Sequence, residues 1–105
     1  MGADLRVTLN VLRVIGVLYS TMDAEHYGLE LSKAAGLSNG ALYPILDKLE
    51  DHGLVVARWE ELDERAAGRR RRCYYRLTAQ GLALAEQELR QVRTLGQAPV
   101  GVSHA

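Results

Sequence analysis

The sequence contains no phenylalanine, one tryptophan (Trp59), one cysteine (Cys73) and two prolines. Without Phe, a core has to be built from Leu, Val, Ile and Tyr. The 105 residues, 48% of them hydrophobic, suffice for one small domain. A single cysteine excludes an internal disulfide, and no paired Cys/His spacing suggests zinc. His26, His52 and His104 lie far apart in sequence and form no ligand motif. The apolar run from Val7 to Leu18 is too short for a bilayer and is interrupted by Asn10 and Arg13. Asp4 ahead of it, with no small-residue cleavage site behind, argues against a signal peptide. The expectation is a soluble cytoplasmic protein. Also missing are a Ser-His-Asp or Cys-His constellation, a glycine-rich phosphate loop and a distinct carboxylate pair, so neither an enzyme nor a cofactor is expected.

A net charge of zero at first argues against a nucleic-acid partner, but the average hides a segregation. Glu60, Glu61, Asp63 and Glu64 cluster, and Arg65, Arg69, Arg70, Arg71, Arg72 and Arg76 follow with no acid among them. Local charge matters more than the total for a protein that meets DNA along one edge.

Periodicity supplies the elements. A first helix is expected over Leu5 to Ser20, with Val7, Val11, Val14, Ile15 and Leu18 on one stripe. Leu5, Leu9 and Leu12, continued by Tyr19, lie on a second face. A helix apolar on two sides is buried on two sides, and a second protomer is the natural partner in so small a domain. Asp23 suits the N-cap of a second helix over about Glu25 to Ala35, with Leu31, Ala34, Tyr27 and Leu37 facing inward and Gly36 ending it. Ser38 then caps a third helix that ends at Gly53. Two helices joined by a tight glycine turn form a helix-turn-helix pattern. The third helix contains Pro44, which costs about 3 kcal/mol in a helix interior. The apolar spacing of Leu42, Ile45, Leu46 and Leu49 nevertheless predicts one helix, bent or loosened between Gly40 and Pro44.

Beyond Gly53, "LVVARWEEL" and "CYYRL" read as strands joined by the polar loop "DERAAGRRRR", which makes a hairpin with a charged tip, a wing. Thr78 caps a last helix to about Leu95, with Leu82, Leu89, Val92 and Leu95 among its apolar positions. Residues 97–105 lack periodicity and read as a disordered tail. The expected class is mainly α with a small β-hairpin wing: a winged helix-turn-helix plus a C-terminal dimerisation helix, over residues 1–96.

Four segments resemble the PadR family of transcriptional regulators: "HYGLELSKAAGLSNGALYPILDKLEDHGLV", "ARWEE", "GRRRRCYYRLT" and the following "AQG". They cover most of Tyr27 to Gly81. "LYP" and "YYRLT" are specific in combination. The resemblance, to the short members without a separate C-terminal domain, implies a homodimeric winged-helix DNA-binding protein. Such a protein is usually a repressor, sometimes relieved by a small-molecule effector. Two departures stand out. Leu29 occupies a position where the family often has tyrosine, a change expected to touch core packing only. Four consecutive arginines replace a pattern with a proline between basic residues.

On this reading the third helix presents Asn39, Gly40, Ala41 and Tyr43 to a major groove, with Ser38 and the helix N-terminus near phosphate. Asn39 suits adenine and Ala41 a thymine methyl. Arg69, Arg70, Arg71 and Arg72 supply phosphate contacts, with Lys33 and Lys48 as secondary candidates. Glu60 to Glu64 pair with these arginines when DNA is absent. The dimer interface is expected to use Leu5, Leu9, Leu12, Leu82, Leu89, Val92 and Leu95. Trp59 is expected to pack on a neighbouring helix. His26 is expected to be a capping or surface residue. Cys73, beside Arg72, admits a redox-sensor reading, against the plainer one of a small strand residue. The competing class is a winged-helix protein-interaction module without DNA binding.

Overall fold

The computed structural model describes residues 5–21 and 24–104, and from residue 94 onward the backbone alone. The order is α1 (Leu9–Ser20), β1 (His26–Tyr27), α2 (Gly28–Ala35), α3 (Asn39–Asp51), β2 (Val55–Trp59), α4 (Glu64–Ala67), β3 (Cys73–Leu77) and α5 (Ala79–His104). This is the expected helix-turn-helix followed by a wing, with four differences in detail.

First, α1 begins at Leu9 and not at Leu5. The Thr8 hydroxyl accepts the Val11 amide N–H at 3.2 Å and sets the start. Leu5 and Val7 still pack on the core, from an extended segment. Second, α2 begins at Gly28, because His26 and Tyr27 are drawn into the sheet opposite Tyr75 and Tyr74. Tyr27 takes the cap position, and its N–H donates to Glu30 at 3.2 Å. Asp23, the expected cap, lies outside the described residues. Third, the wing loop holds the one-turn helix α4, capped by Asp63 and closed by Gly68 at φ +70°. Fourth, the backbone of α5 runs to His104, through the segment expected as a disordered tail.

The core is aliphatic, as the absence of Phe requires. Val11, Val14, Ile15 and Leu18 of α1 meet Leu31 and Ala35 of α2, Leu42, Leu46 and Leu49 of α3, Val55, Tyr75 and Ala85. Fully burying each Leu, Ile or Val contributes about 1.5–3 kcal/mol. Ala34, expected inside, is exposed, and the adjacent Ala35 takes the buried position. Leu29 is half exposed, so the first departure from the family pattern does not alter the core. The sheet is antiparallel with order β1-β3-β2, and the register pairs Val55 with Leu77 and Trp59 with Cys73. Cys73, Tyr75 and Leu77 therefore share the core-facing side, and Tyr74 and Arg76 the other.

One knot joins the helices to the sheet. Thr78 donates its N–H to the Leu54 carbonyl at 3.0 Å and its hydroxyl to the Gly53 carbonyl at 2.7 Å. The same hydroxyl accepts the Gly81 N–H at 3.0 Å and so caps α5 as expected. Gly81 lies directly on this turn: a Cβ there would sit 1.9 Å from the Leu54 oxygen. A backbone oxygen that is itself hydrogen-bonded cannot step aside. Gly81→Ala should therefore lower stability by about 1–3 kcal/mol, as overpacking does. Gly40→Ala, whose Cβ meets nothing nearer than 3.9 Å, should be neutral or stabilising. Urea unfolding at one fixed protein concentration checks both, and equal midpoints for the two variants would refute the close approach.

Candidate nucleic-acid interface

The turn between α2 and α3 is built from caps. Gly36 adopts φ +69°, and the Leu37 N–H returns to the Ser32 carbonyl at 2.9 Å. Ser38 caps α3 by accepting the Ala41 N–H on its hydroxyl at 3.2 Å. Leu42, Leu46 and Leu49 anchor one side of α3 in the core. Ser38, Asn39 and Gly40 are left exposed, Ala41 half-buried and Tyr43 41% exposed. The first turn carries no acidic residue. Free amide groups and the positive end of the helix dipole there suit an anion.

The rest of the exposed face differs. Asn39, Tyr43, Asp47 and Asp51 follow at four-residue steps, so two carboxylates continue the line. Lys48 is exposed beside Asp47 near the far end of the helix. Only the N-terminal half of α3 suits a polyanion. The spacing is legible in the sequence, beside the more prominent apolar stripe of Leu42, Leu46 and Leu49.

Tyr43 is held by packing. Its hydroxyl end rests on Gly28, the first residue of α2, where a Cβ would lie 2.1 Å from Oη and 2.8 Å from Cζ. The absence of a side chain at Gly28 thus sets the ring's position. Pro44 stands inside a single unbroken helix, on its exposed side. It leaves the Gly40 carbonyl without the usual helical partner where solvent can reach it.

Arg69, Arg71 and Arg72 of the wing are engaged internally. Arg69 binds Glu60 through two nitrogens, at 2.8 and 3.0 Å, and the Arg72 N–H donates to the same carboxylate at 3.2 Å. These bonds, Arg69 foremost, hold the Glu60 carboxyl below the usual carboxylate range, and Glu60 in turn raises the Arg69 guanidinium. The Arg71 N–H donates to Glu64 at 2.7 Å, and its guanidinium lies 5.7 Å from the Trp59 ring centre. Arg72 stacks on Tyr27 at 4.3 Å. Behind them, on the outer face of the sheet, Tyr27 and Tyr74 meet edge-on at 5.8 Å. Arg58 covers Tyr74 at 5.3 Å while binding Glu25 at 2.6 Å. That bond holds the Glu25 carboxyl down as well.

Trp59 does not pack on a helix; it is 59% exposed beneath Arg71. Cys73 is a half-buried strand residue, and burial, with a bond to Cys73 next in weight, pushes the Tyr75 phenol well up. His26 is half-buried in β1, near the Thr21 hydroxyl and 3.8 Å from Glu30. Lys33 is exposed in the last turn of α2. No His/Cys/Asp/Glu group among the described residues could hold a metal ion, and no helix among them is long and apolar enough to cross a membrane. Leu9 and Val92 are 64% and 49% exposed, whereas Leu5, Leu12, Leu82 and Leu89 are half-buried. The side chain of Leu95 lies outside the described residues.

A capped helix-turn-helix, a three-stranded antiparallel sheet with its wing, and flanking helices α1 and α5 define the winged-helix regulator class. The chain belongs to the PadR-like family of transcriptional regulators, whose profile matches residues 17–87. It is similar to a PadR family transcriptional regulator from Eggerthella lenta, at 28% identity and TM-score 0.66, over 85% of this chain and 79% of that one. The Streptococcus mutans protein smu.1704 shares the fold at 22% identity and TM-score 0.71, over 98% and 95% of the two chains. So does a mutant of Staphylococcus aureus MepR bound to an oligodeoxyribonucleotide, at 21% identity and TM-score 0.69; this chain spans 62% of its length. No functionally curated protein matches the sequence.

Pro44→Ala should raise stability by roughly 2–2.5 kcal/mol, the helical cost of proline less the unfolded-chain entropy it removes. It should also change DNA affinity; unchanged affinity would show that the proline does not shape the exposed end of α3. Gly28→Ala should displace the flexible Tyr43 ring and weaken DNA binding with little loss of stability. Unaltered binding would remove Tyr43 placement from the interface.

Proposed function

We propose that the protein is a sequence-specific DNA-binding repressor that acts in the cytoplasm as a homodimer on a pseudo-palindromic site. The observation that carries this is the acid-free, capped start of α3, exposed on the same chain as an arginine-bearing wing. Asn39, Gly40 and Ala41 approach base edges, with Ser38 and the α3 amides at phosphate and Tyr43 against the sugar-phosphate backbone. Lys33 and the basic wing that carries Arg69–Arg72 serve the DNA backbone. The exposed Leu9 and Val92, on helices that pack against one another, support a dimer through α1 and α5, with Leu5, Leu12, Leu82, Leu89 and Leu95 completing it. A groove of about 250 Å³ lined by Tyr19, Glu86, Leu89, Arg90 and Arg93 is the candidate seat of a small-molecule effector.

The second reading, a protein-interaction module on the same fold, draws on Asp47 and Asp51 along α3 and on the internal pairing of the wing. Selection of bound sequences from a random duplex pool separates the two readings. DNA recognition predicts enriched half-sites about one helical turn apart. If the dimer neutralises about eight phosphates, log K should fall against log salt with a slope of roughly −7. A flat salt dependence with no enriched sequence would sink the DNA reading. Val92→Glu should give a monomer by analytical ultracentrifugation, with DNA affinity lowered at least tenfold by loss of the second half-site. A persistent dimer would place the interface elsewhere.

A further inference from the structure

We infer that the phosphate contacts of the wing come from Arg65 and Arg70, while Arg69, Arg71 and Arg72 hold the wing together. This rests on the DNA-binding reading and deepens it.

The four-arginine run reads as four equal cations, but the structure sorts them. Arg69 is committed to Glu60 by a two-point bond, and Glu60 is fixed in place independently: it accepts the Arg72 N–H, and its own N–H donates to the Arg72 carbonyl at 2.8 Å. Moving Arg69 to a phosphate would leave that anchored carboxylate facing the DNA without its cation. The repulsion would offset the new contact. Arg71 is tied at its backbone to Glu64 and lies over Trp59. Arg72 is half-buried, and its guanidinium is stacked on Tyr27, which caps α2. Withdrawing it would uncover the sheet face that joins the wing to the helix-turn-helix.

Arg65 and Arg70 are different. Both are exposed, and among the described residues neither side chain makes an ion pair, hydrogen bond or ring contact. They flank the Gly68 turn at the end of the wing. A cation without an internal partner can release its counterion on meeting phosphate at no loss of an existing bond, and counterion release is what drives such contacts. Arg65, outside the consecutive run, thus joins the interface, and most of the run leaves it.

The test measures the salt dependence of binding to a mixed-sequence duplex of about 30 base pairs, with the full chain. Arg65→Gln and Arg70→Gln should each reduce the magnitude of the slope by about 1 per wing. The double variants Glu60→Gln/Arg69→Gln and Glu64→Gln/Arg71→Gln remove both partners of a pair, leave the net charge unchanged and should leave the slope unchanged. Two separate pairs guard against one of them disturbing the wing, and circular dichroism checks the fold of each. A slope reduced as much by either pair removal as by Arg70→Gln would overturn the assignment. So would unchanged slopes for both Arg65→Gln and Arg70→Gln. If the unaltered protein shows no salt-dependent binding at all, the DNA reading itself fails, a result distinct from a redistribution among arginines.

Discussion

The Leu54 carbonyl is the point on which the architecture turns. It follows the end of α3, precedes β2 and receives the Thr78 N–H that closes β3 into α5. Four elements thus meet at one peptide group, and Gly81 lets the start of α5 lie on it without a side chain between. A buried carbonyl left unpaired costs about 1–3 kcal/mol. The contact is therefore specific in direction as well as favourable. It fixes the sheet relative to α3, and so the wing relative to the exposed start of the helix.

The wing extends the same principle to charge. Its hairpin is long and its tip polar, conditions under which a loop ordinarily moves. Here carboxylates cross-link the two sides of the loop: Glu60 joins the end of β2 to Arg69 and Arg72, and Glu64 joins α4 to Arg71. Exposed ion pairs taken singly contribute little. These share acceptors with backbone N–H groups and are backed by the Tyr27–Tyr74 contact. The balanced net charge thus reflects acids placed where they shape the basic segment.

What the sequence disclosed is what local chemistry determines. Ser38, Gly36, Gly53 and Thr78 mark helix ends because a hydroxyl or a left-handed glycine acts within three or four residues of itself. The aliphatic stripe of α3 overrode Pro44 for the same reason, since three anchoring leucines outweigh one missing bond. The order of helices and strands followed, and with it the family resemblance. The rest depended on distance in space. β1 is two residues long and exists only because β3 offers it an edge; α4 is a single turn, too short for a period. Trp59 is exposed because it ends β2, beyond the reach of the core, and Leu29 because of the helix face it occupies. The pairing of Glu60 with Arg69 spans nine residues across the end of a hairpin, which no periodicity in the sequence announces.

The four-residue progression Asn39, Tyr43, Asp47, Asp51 limits how much a half-site can say. A recognition helix lying lengthwise in a groove can sample many base pairs, but carboxylates along its second half oppose the flanking phosphates. Under the proposed function α3 would meet the groove end-on, with little more than its first turn. Such a protomer reads few bases, too few to single out one locus among a genome's competing sites. Discrimination would then pass to the spacing of two short words and to the bendability of the DNA between them, so that the dimer measures a distance as much as it reads a text.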